Sequence, residues 1–164
     1  MQLTAPIPEE SLDGLRPINL NTDIPQVLRL LEFVFGKKLD DEGRRLFLAS
    51  NQPANQPALF WRLNPAASRL ALGYVWEIDQ RIIGNVTILN THNRNRYLVV
   101  NVAVHPDYRR RGLARRLMEK AASVVRQRGG RQILLQVVKD NAAAVGLYQS
   151  LQYLNLGSMC TWHA

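Results

Sequence analysis

Between Leu72 and Val138 the apolar residues change period twice, and that change restricts the fold more than any other feature of the 164-residue chain. "LGYVWEI" (72–78) and "RIIGNVTIL" (81–89) are rich in Val, Ile and aromatics, and Asp79-Gln80 between them predicts a hairpin. A third strand is expected over "RYLVVNVAV" (96–104). The pattern then becomes helical, with Leu113, Leu117, Ala121, Val124 and Val125 recurring at helix spacing until Gly129-Gly130 stops it. A strand at "QILLQVV" (132–138), a helix from Asn141 to about Leu151 and a final pair of short strands complete the expectation. Antiparallel strands followed by a strand-helix-strand unit imply an α/β (α+β) chain with a mixed, mostly antiparallel central sheet flanked by helices.

Upstream, "TDIPQVLRLLEFVFG" (22–36) carries helix signals: Thr22 or Asp23 as a cap, Pro25 in the first turn and Gly36 at the end. Ile24, Val27, Leu28, Leu31 and Val34 form its apolar stripe. A shorter helix is expected from about Asp40 to Ala49. "SNQPANQPALFWRLNP" (50–65) reads as an irregular connection in which Leu59, Phe60 and Trp61 pack as a lid over the core edge. At 46% hydrophobic, the chain suits one domain over 1–164, with residues 1–14 as a flexible tail.

No apolar run approaches the roughly 20 residues of a membrane-spanning helix. "MQLTAPIPEESLDG" has acids and prolines where a signal peptide needs a basic start and an apolar centre, so a soluble cytoplasmic protein is the expectation. Cys160 is the single cysteine, and His92, His105 and His163 give no zinc-ligand spacing, so no metal is expected. Cys160 with nearby His163 reads as a packed or idle cysteine rather than a thiol nucleophile.

Charge separates the chain into unequal parts. Residues 1–42 hold 4 basic and 8 acidic side chains, residues 43–164 hold 17 and 5, and the net charge is +8. Of the 21 basic residues 17 are arginine, whose planar fork suits phosphate, so a nucleic acid, a phosphorylated cofactor or an acidic surface are all candidate partners. "VAVHPDYRRRGLARRL" (102–117) concentrates that charge where a strand gives way to a helix. A helix start there offers unpaired N–H groups and a partial positive charge, and Gly112 lets the backbone approach an anion closely. Arg109, Arg110, Arg111, Arg115 and Arg116 surround it. Neither G-x-x-x-x-G-K-[ST] nor G-x-G-x-x-G occurs, which excludes a P-loop and a Rossmann fingerprint.

Arg109-x-x-Gly112-x-Ala114, after "VAV" and before an amphipathic helix, resembles the acetyl-CoA-binding motif of the GNAT superfamily of N-acetyltransferases. "DNAAAVGLYQSLQY" (140–153) is similar to the family's later motif, with Asn141 as the helix cap and Tyr148 seven residues on. The two motifs agree in order and spacing over roughly residues 97–157, although Gln152-Tyr153 stands where the family often has Gly-Phe.

The resemblance implies acetyl-CoA as co-substrate. Amides of about Arg110 to Arg115, including Gly112, Leu113 and Ala114, would hold its pyrophosphate, and Val102, Ala103 and Val104 would pair with the pantetheine arm as an added strand does. A backbone N–H near Val102 would polarise the thioester carbonyl as an amine attacks. Tyr148 would protonate the departing thiolate, being neutral near pH 7 while offering a proton. The family commonly supplies a carboxylate base on or near the same strand, but "YLVVNVAV" has no acid. Glu77 is the leading substitute, with Asp79, His92 and His105 behind it and ordered water as the alternative.

The expectation is therefore an N-acetyltransferase that moves an acetyl group to a primary amine by direct attack in a ternary complex. Two alternatives stand beside it: an acetyl-CoA-binding protein without catalysis and a basic nucleic-acid-binding module. Clustering of the arginines at a helix start, rather than along a helix face, disfavours the second. The acceptor would be a small-molecule or protein amine, a membrane partner is not expected, and a homodimer is left open.

Overall fold

A computed structural model of the chain describes residues 14–36 and 71–157. The expected helix at 40–49, the 50–65 connection with Leu59, Phe60 and Trp61, and Cys160 with His163 lie outside those residues. The described elements are β1 (Gly14–Pro17), α1 (Ile24–Phe35), β2 (Ala71–Ile78), β3 (Arg81–Asn90) and β4 (Arg96–Val104). A 3-10 turn (Pro106–Tyr108), α2 (Leu113–Gln127), β5 (Gln132–Leu135) and α3 (Ala142–Ser150) follow.

The strands form one sheet in the order β1-β2-β3-β4-β5, antiparallel from β1 through β4 and parallel between β4 and β5. This is the mixed sheet that the change of period implies, with α2 as the crossover that a parallel pair requires. Asp79 and Gln80 both take positive φ (48° and 60°), the geometry of a two-residue hairpin turn that follows the twist of its strands. Gln26 of α1 holds that turn in place: its Nε2 donates to Gln80 O at 3.3 Å and its Oε1 accepts from Ile82 N at 3.1 Å.

Strand alternation divides the core between the two faces of the sheet. Val27, Leu30 and Leu31 of α1 pack with Val75, Ile82 and Ala103 on one face. Leu113, Leu117, Met118, Ala121, Val124 and Val125 of α2 pack with Ile83, Val86, Ile88, Tyr97, Val99 and Val104 on the other. Complete burial of an aliphatic side chain contributes about 1.5–3 kcal/mol, so these two layers supply most of what holds the elements in register. Gly130 turns the chain from α2 into β5 where a Cβ would stand 2.5 Å from Val125 Cγ1 and 2.7 Å from Tyr97 Cε2. The helix can lie that close to the sheet only because the residue is glycine.

Several expectations change. Asp23 is the residue before α1, yet its side chain makes no cap hydrogen bond to the helix, because Arg16 and the Asn19 N–H recruit the carboxylate. β1 is an additional strand, and it begins at Gly14 inside the expected tail. β5 ends at Leu135 rather than Val138, since its pairing with β4 stops at Val99–Leu135 and the following residues have no neighbouring strand to hold them extended. Residues 152–157 contain no strand, so a final strand pair is absent from the described residues.

Candidate acyl-transfer site

β4 and β5 are paired from Arg96–Gln132 to Val99–Leu135 and no further, whereas β4 continues to Val104. The β5 side of residues 100–104 is therefore an unpaired strand edge among the described residues. On its other side β4 meets β3 with an irregularity: Asn85 stands opposite Ala103 and Thr87 opposite Val100, so Val86 faces both Asn101 and Val102. One extra residue in one strand is a β-bulge, and Asn101 adopts the left-handed region with φ 55° to accommodate it. A bulge locally disrupts the ladder and bends the strand beside it.

The chain after Val104 folds into a 3-10 turn and a short cradle that leads into α2. His105 caps the 3-10 turn by accepting from Asp107 N at 3.4 Å, and its ring stacks on Phe33 with centroids 5.1 Å apart. Arg110 (φ 63°) and Gly112 (φ 78°) both have positive φ, which turns successive N–H groups toward a common concavity. Gly112 is the N-cap of α2 and offers no side-chain acceptor, and among the described residues the amides of Arg110 to Arg115 make no hydrogen bond to backbone outside the helix. A phosphate is the kind of partner such a helix start accepts.

The arginines divide into separate tasks. Arg109 Nε donates to Val104 O at 3.2 Å and fastens the loop to the end of β4. Arg111 donates to Asp107 O at 3.3 Å and lies over the Tyr108 ring at 5.2 Å. Arg116 lies over Trp76 at 5.7 Å. Arg115 reaches α3, donating to Ser150 Oγ at 2.8 Å, and thereby ties the helix that carries Tyr148 to the cradle. Arg110 is exposed at the rim.

α3 begins at Asn141, whose Oδ1 accepts from Ala144 N at 3.3 Å. Tyr148 lies on this helix, half-buried against the α2-side core, with Tyr153 edge-on at 6.0 Å between centroids. Burial, and to a smaller extent the Tyr153 phenol, push Tyr148 above the ordinary 10.0, so it holds its proton throughout the neutral range. Burial pushes Tyr153 up as well.

Glu77 belongs to a different neighbourhood. Its carboxylate is buried and accepts two hydrogen bonds from Arg16, the Nε one at 2.6 Å. Arg16 also donates to both carboxylate oxygens of Asp23 at 2.6 and 3.1 Å. Burial alone would raise Asp23, but hydrogen bonds from Arg16 and the Asn19 N–H outweigh it and hold the carboxyl below its ordinary 3.8. The Asp23 hydrogen bond, opposed by burial and aided by Glu77, raises the Arg16 guanidinium further above its already high value. Thus Val102, Ala114 and Tyr148 pack against one core cluster and Arg115 reaches α3 at Ser150, while Asn141 caps α3 and Glu77 is held by Arg16 beside α1.

Sequence reasoning missed Arg16 and Asn85, and read Asp23 only as a helix cap. A polar residue amid the apolar run of β3 and another, Asn101, in β4 were the available signal for Asn85, since buried amides require partners. No group of three or more potential metal ligands occurs among the described residues.

The geometry fits acetyl-CoA in two respects: a strand edge able to pair with a pantetheine amide, and a loop of open amides one strand-end away for a pyrophosphate. Residues 30–153 match the model of the Acetyltransferase (GNAT) family. An acetyltransferase of Pectobacterium atrosepticum is 34% identical over 79 residues, which cover 48% of this chain and 55% of that protein. The ribosomal protein bS18-alanine N-acetyltransferase of Escherichia coli K12 is 45% identical over 53 residues, 32% of this chain and 36% of that protein. The matched stretches thus span about half or less of these curated relatives. The crystal structure of a GCN5-related N-acetyltransferase from Ralstonia eutropha JMP134 superposes with a TM-score of 0.71 at 20% identity, covering 91% of this chain and 97% of that one. Sequence match and fold agree, and the chain belongs to the Acetyltransferase (GNAT) family.

Proposed function

We propose that this chain transfers the acetyl group of acetyl-CoA to a primary amine by direct attack within a ternary complex. The observation that carries the reading is the β4 edge, unpaired among the described residues, running into the amide cradle at Arg110 to Arg115, with the helix that carries Tyr148 tied to it through Arg115 and Ser150. The pantetheine arm pairs with Val102 to Val104, and the pyrophosphate takes the cradle. The amine nitrogen forms a bond to the thioester carbon while the Val102 N–H stabilises the charge that develops on its oxygen. As the C–S bond breaks, Tyr148 gives its proton to the sulfur. The amine releases a proton to water or to a carboxylate.

Glu77 takes up that last role only by yielding part of its bond to Arg16. Its engagement there favours a water-mediated route and keeps alive a second reading, an acetyl-CoA-binding protein without catalysis. The nucleic-acid reading loses support because Arg109, Arg111, Arg115 and Arg116 already have partners within the fold. The acceptor is stated only as a primary amine; an alanine N-terminus comes first for testing because the Escherichia coli relative is named for that substrate.

Thermal unfolding with acetyl-CoA, free CoA and a DNA duplex tests the binding reading. At about 100 times its dissociation constant acetyl-CoA should stabilise the fold by roughly 2.7 kcal/mol, and DNA should not. A shift with DNA alone would sink the proposal. CoA release with an Ala-initiated peptide, a lysine-containing peptide, spermidine and an aminoglycoside then separates catalysis from binding. Turnover retained in Glu77→Gln would remove Glu77 as the base.

A further inference from the structure

Asn85 is completely buried in the middle of β3, between Val75 of β2 and Ala103 of β4, both of which belong to the apolar core on the α1 face. Its Nδ2 donates to the carbonyl oxygen of Asn101 at 2.9 Å and to Thr87 Oγ1 at 3.3 Å. Its Oδ1 has no partner. The amide cannot be turned over to relieve this, because Oδ1 would then face the Asn101 carbonyl oxygen. A leucine of similar size would remove the unpartnered Oδ1 but leave the Asn101 carbonyl oxygen without the Asn85 donor, so apolar packing alone does not account for the asparagine. The group that it grips supplies the account.

Asn101 is the bulge residue of β4, at φ 55° in the left-handed region that asparagine tolerates better than most residues other than glycine. Asn85 reaches across from the neighbouring strand to the carbonyl of that residue, and the next N–H along the chain is that of Val102. We propose that Asn85 is a positioning residue for acyl transfer: it pins the Asn101 carbonyl, fixes the β4 bulge, and so aims the Val102 N–H at the thioester carbonyl oxygen. The inference rests on the acetyl-CoA reading above. Asn85 itself touches no substrate.

The test reads carbonyl polarisation directly and requires no acceptor. With acetyl-CoA carrying carbon-13 at the thioester carbonyl, the wild-type complex should move that resonance downfield of its free position. Asn85→Leu should return it at least halfway toward the free value, while the dissociation constant for acetyl-CoA stays within about threefold. Asn85→Ala, which cannot donate to the carbonyl, should act in the same direction and serves if the leucine variant does not fold. With an acceptor that turns over, kcat should fall by about 10- to 100-fold, with the KM for acetyl-CoA nearly constant. A resonance that keeps its wild-type position in the variants overturns the role of Asn85 and leaves the acetyl-CoA reading intact. Failure of the wild type to bind acetyl-CoA overturns both.

Discussion

The two faces of the sheet treat charge in opposite ways. Beside α1, Arg16, Asp23 and Glu77 bind one another with every carboxylate engaged. At the start of α2 the arginines fasten the loop by its edges while the backbone amides inside it stay open. The first arrangement spends its hydrogen-bonding capacity on the fold, and the second, among the described residues, leaves it free for the proposed ligand. Arginine content therefore does not locate a site. The unsatisfied groups around it do.

Substitutions on each side should separate stability from function. The largest effect is expected for Tyr148→Phe, which removes the proposed acid and should lower kcat by about 100-fold or more with little change in the KM for acetyl-CoA. Because the phenol titrates above 10.0, wild-type activity should show no alkaline decline from this group below pH 10, and initial rates across pH would reveal one. Next is Arg16→Met, which strands two buried carboxylates and should destabilise the fold by about 2–4 kcal/mol in urea unfolding. The dissociation constant for acetyl-CoA should stay within about twofold, and a larger change would erase the contrast between the faces. Gly112→Ala must take φ 78° with a Cβ, at about 1 kcal/mol, and should weaken acetyl-CoA binding by calorimetry because the strain falls within the cradle.

The smallest effect concerns acid. Asp23 has a folded pKa below its ordinary 3.8, so its stabilising contribution is present above that value and is lost as pH falls through the folded one. Wild type should therefore lose more stability than Asp23→Asn on acidification below pH 4, as read by denaturant midpoints at fixed ionic strength. Equal losses would mean that the Arg16 cluster contributes nothing through Asp23.

Periodicity disclosed β2, β3, β4 and α2 because each buries an alternating or helical face against its neighbours, and Asn141 disclosed the start of α3 through its capping chemistry. The arginine-glycine loop was visible for the same local reason. What escaped depends on partners far along the chain. Arg16 and Glu77 are 61 positions apart, and no local pattern pairs them. β1 is only GLRP, too short and too close to proline to show an alternation, and it is extended because β2 lies beside it. Asn85 reads as an interruption in an apolar strand until the bulge across from it is known. The cap expected at Asp23 failed because an arginine competed for the same oxygens.

Among the described residues β4 beyond Val99 has no strand on its β5 side, which has a consequence for the protein without its co-substrate. Unpaired strand edges are templates on which other chains can add, and this one lies at the end of the apolar segment "YLVVNVAV". A pantetheine arm laid along it would cover the template. Acetyl-CoA would then protect the protein against self-association as well as donate its acetyl group, and aggregation on storage should slow as its concentration rises through the dissociation constant.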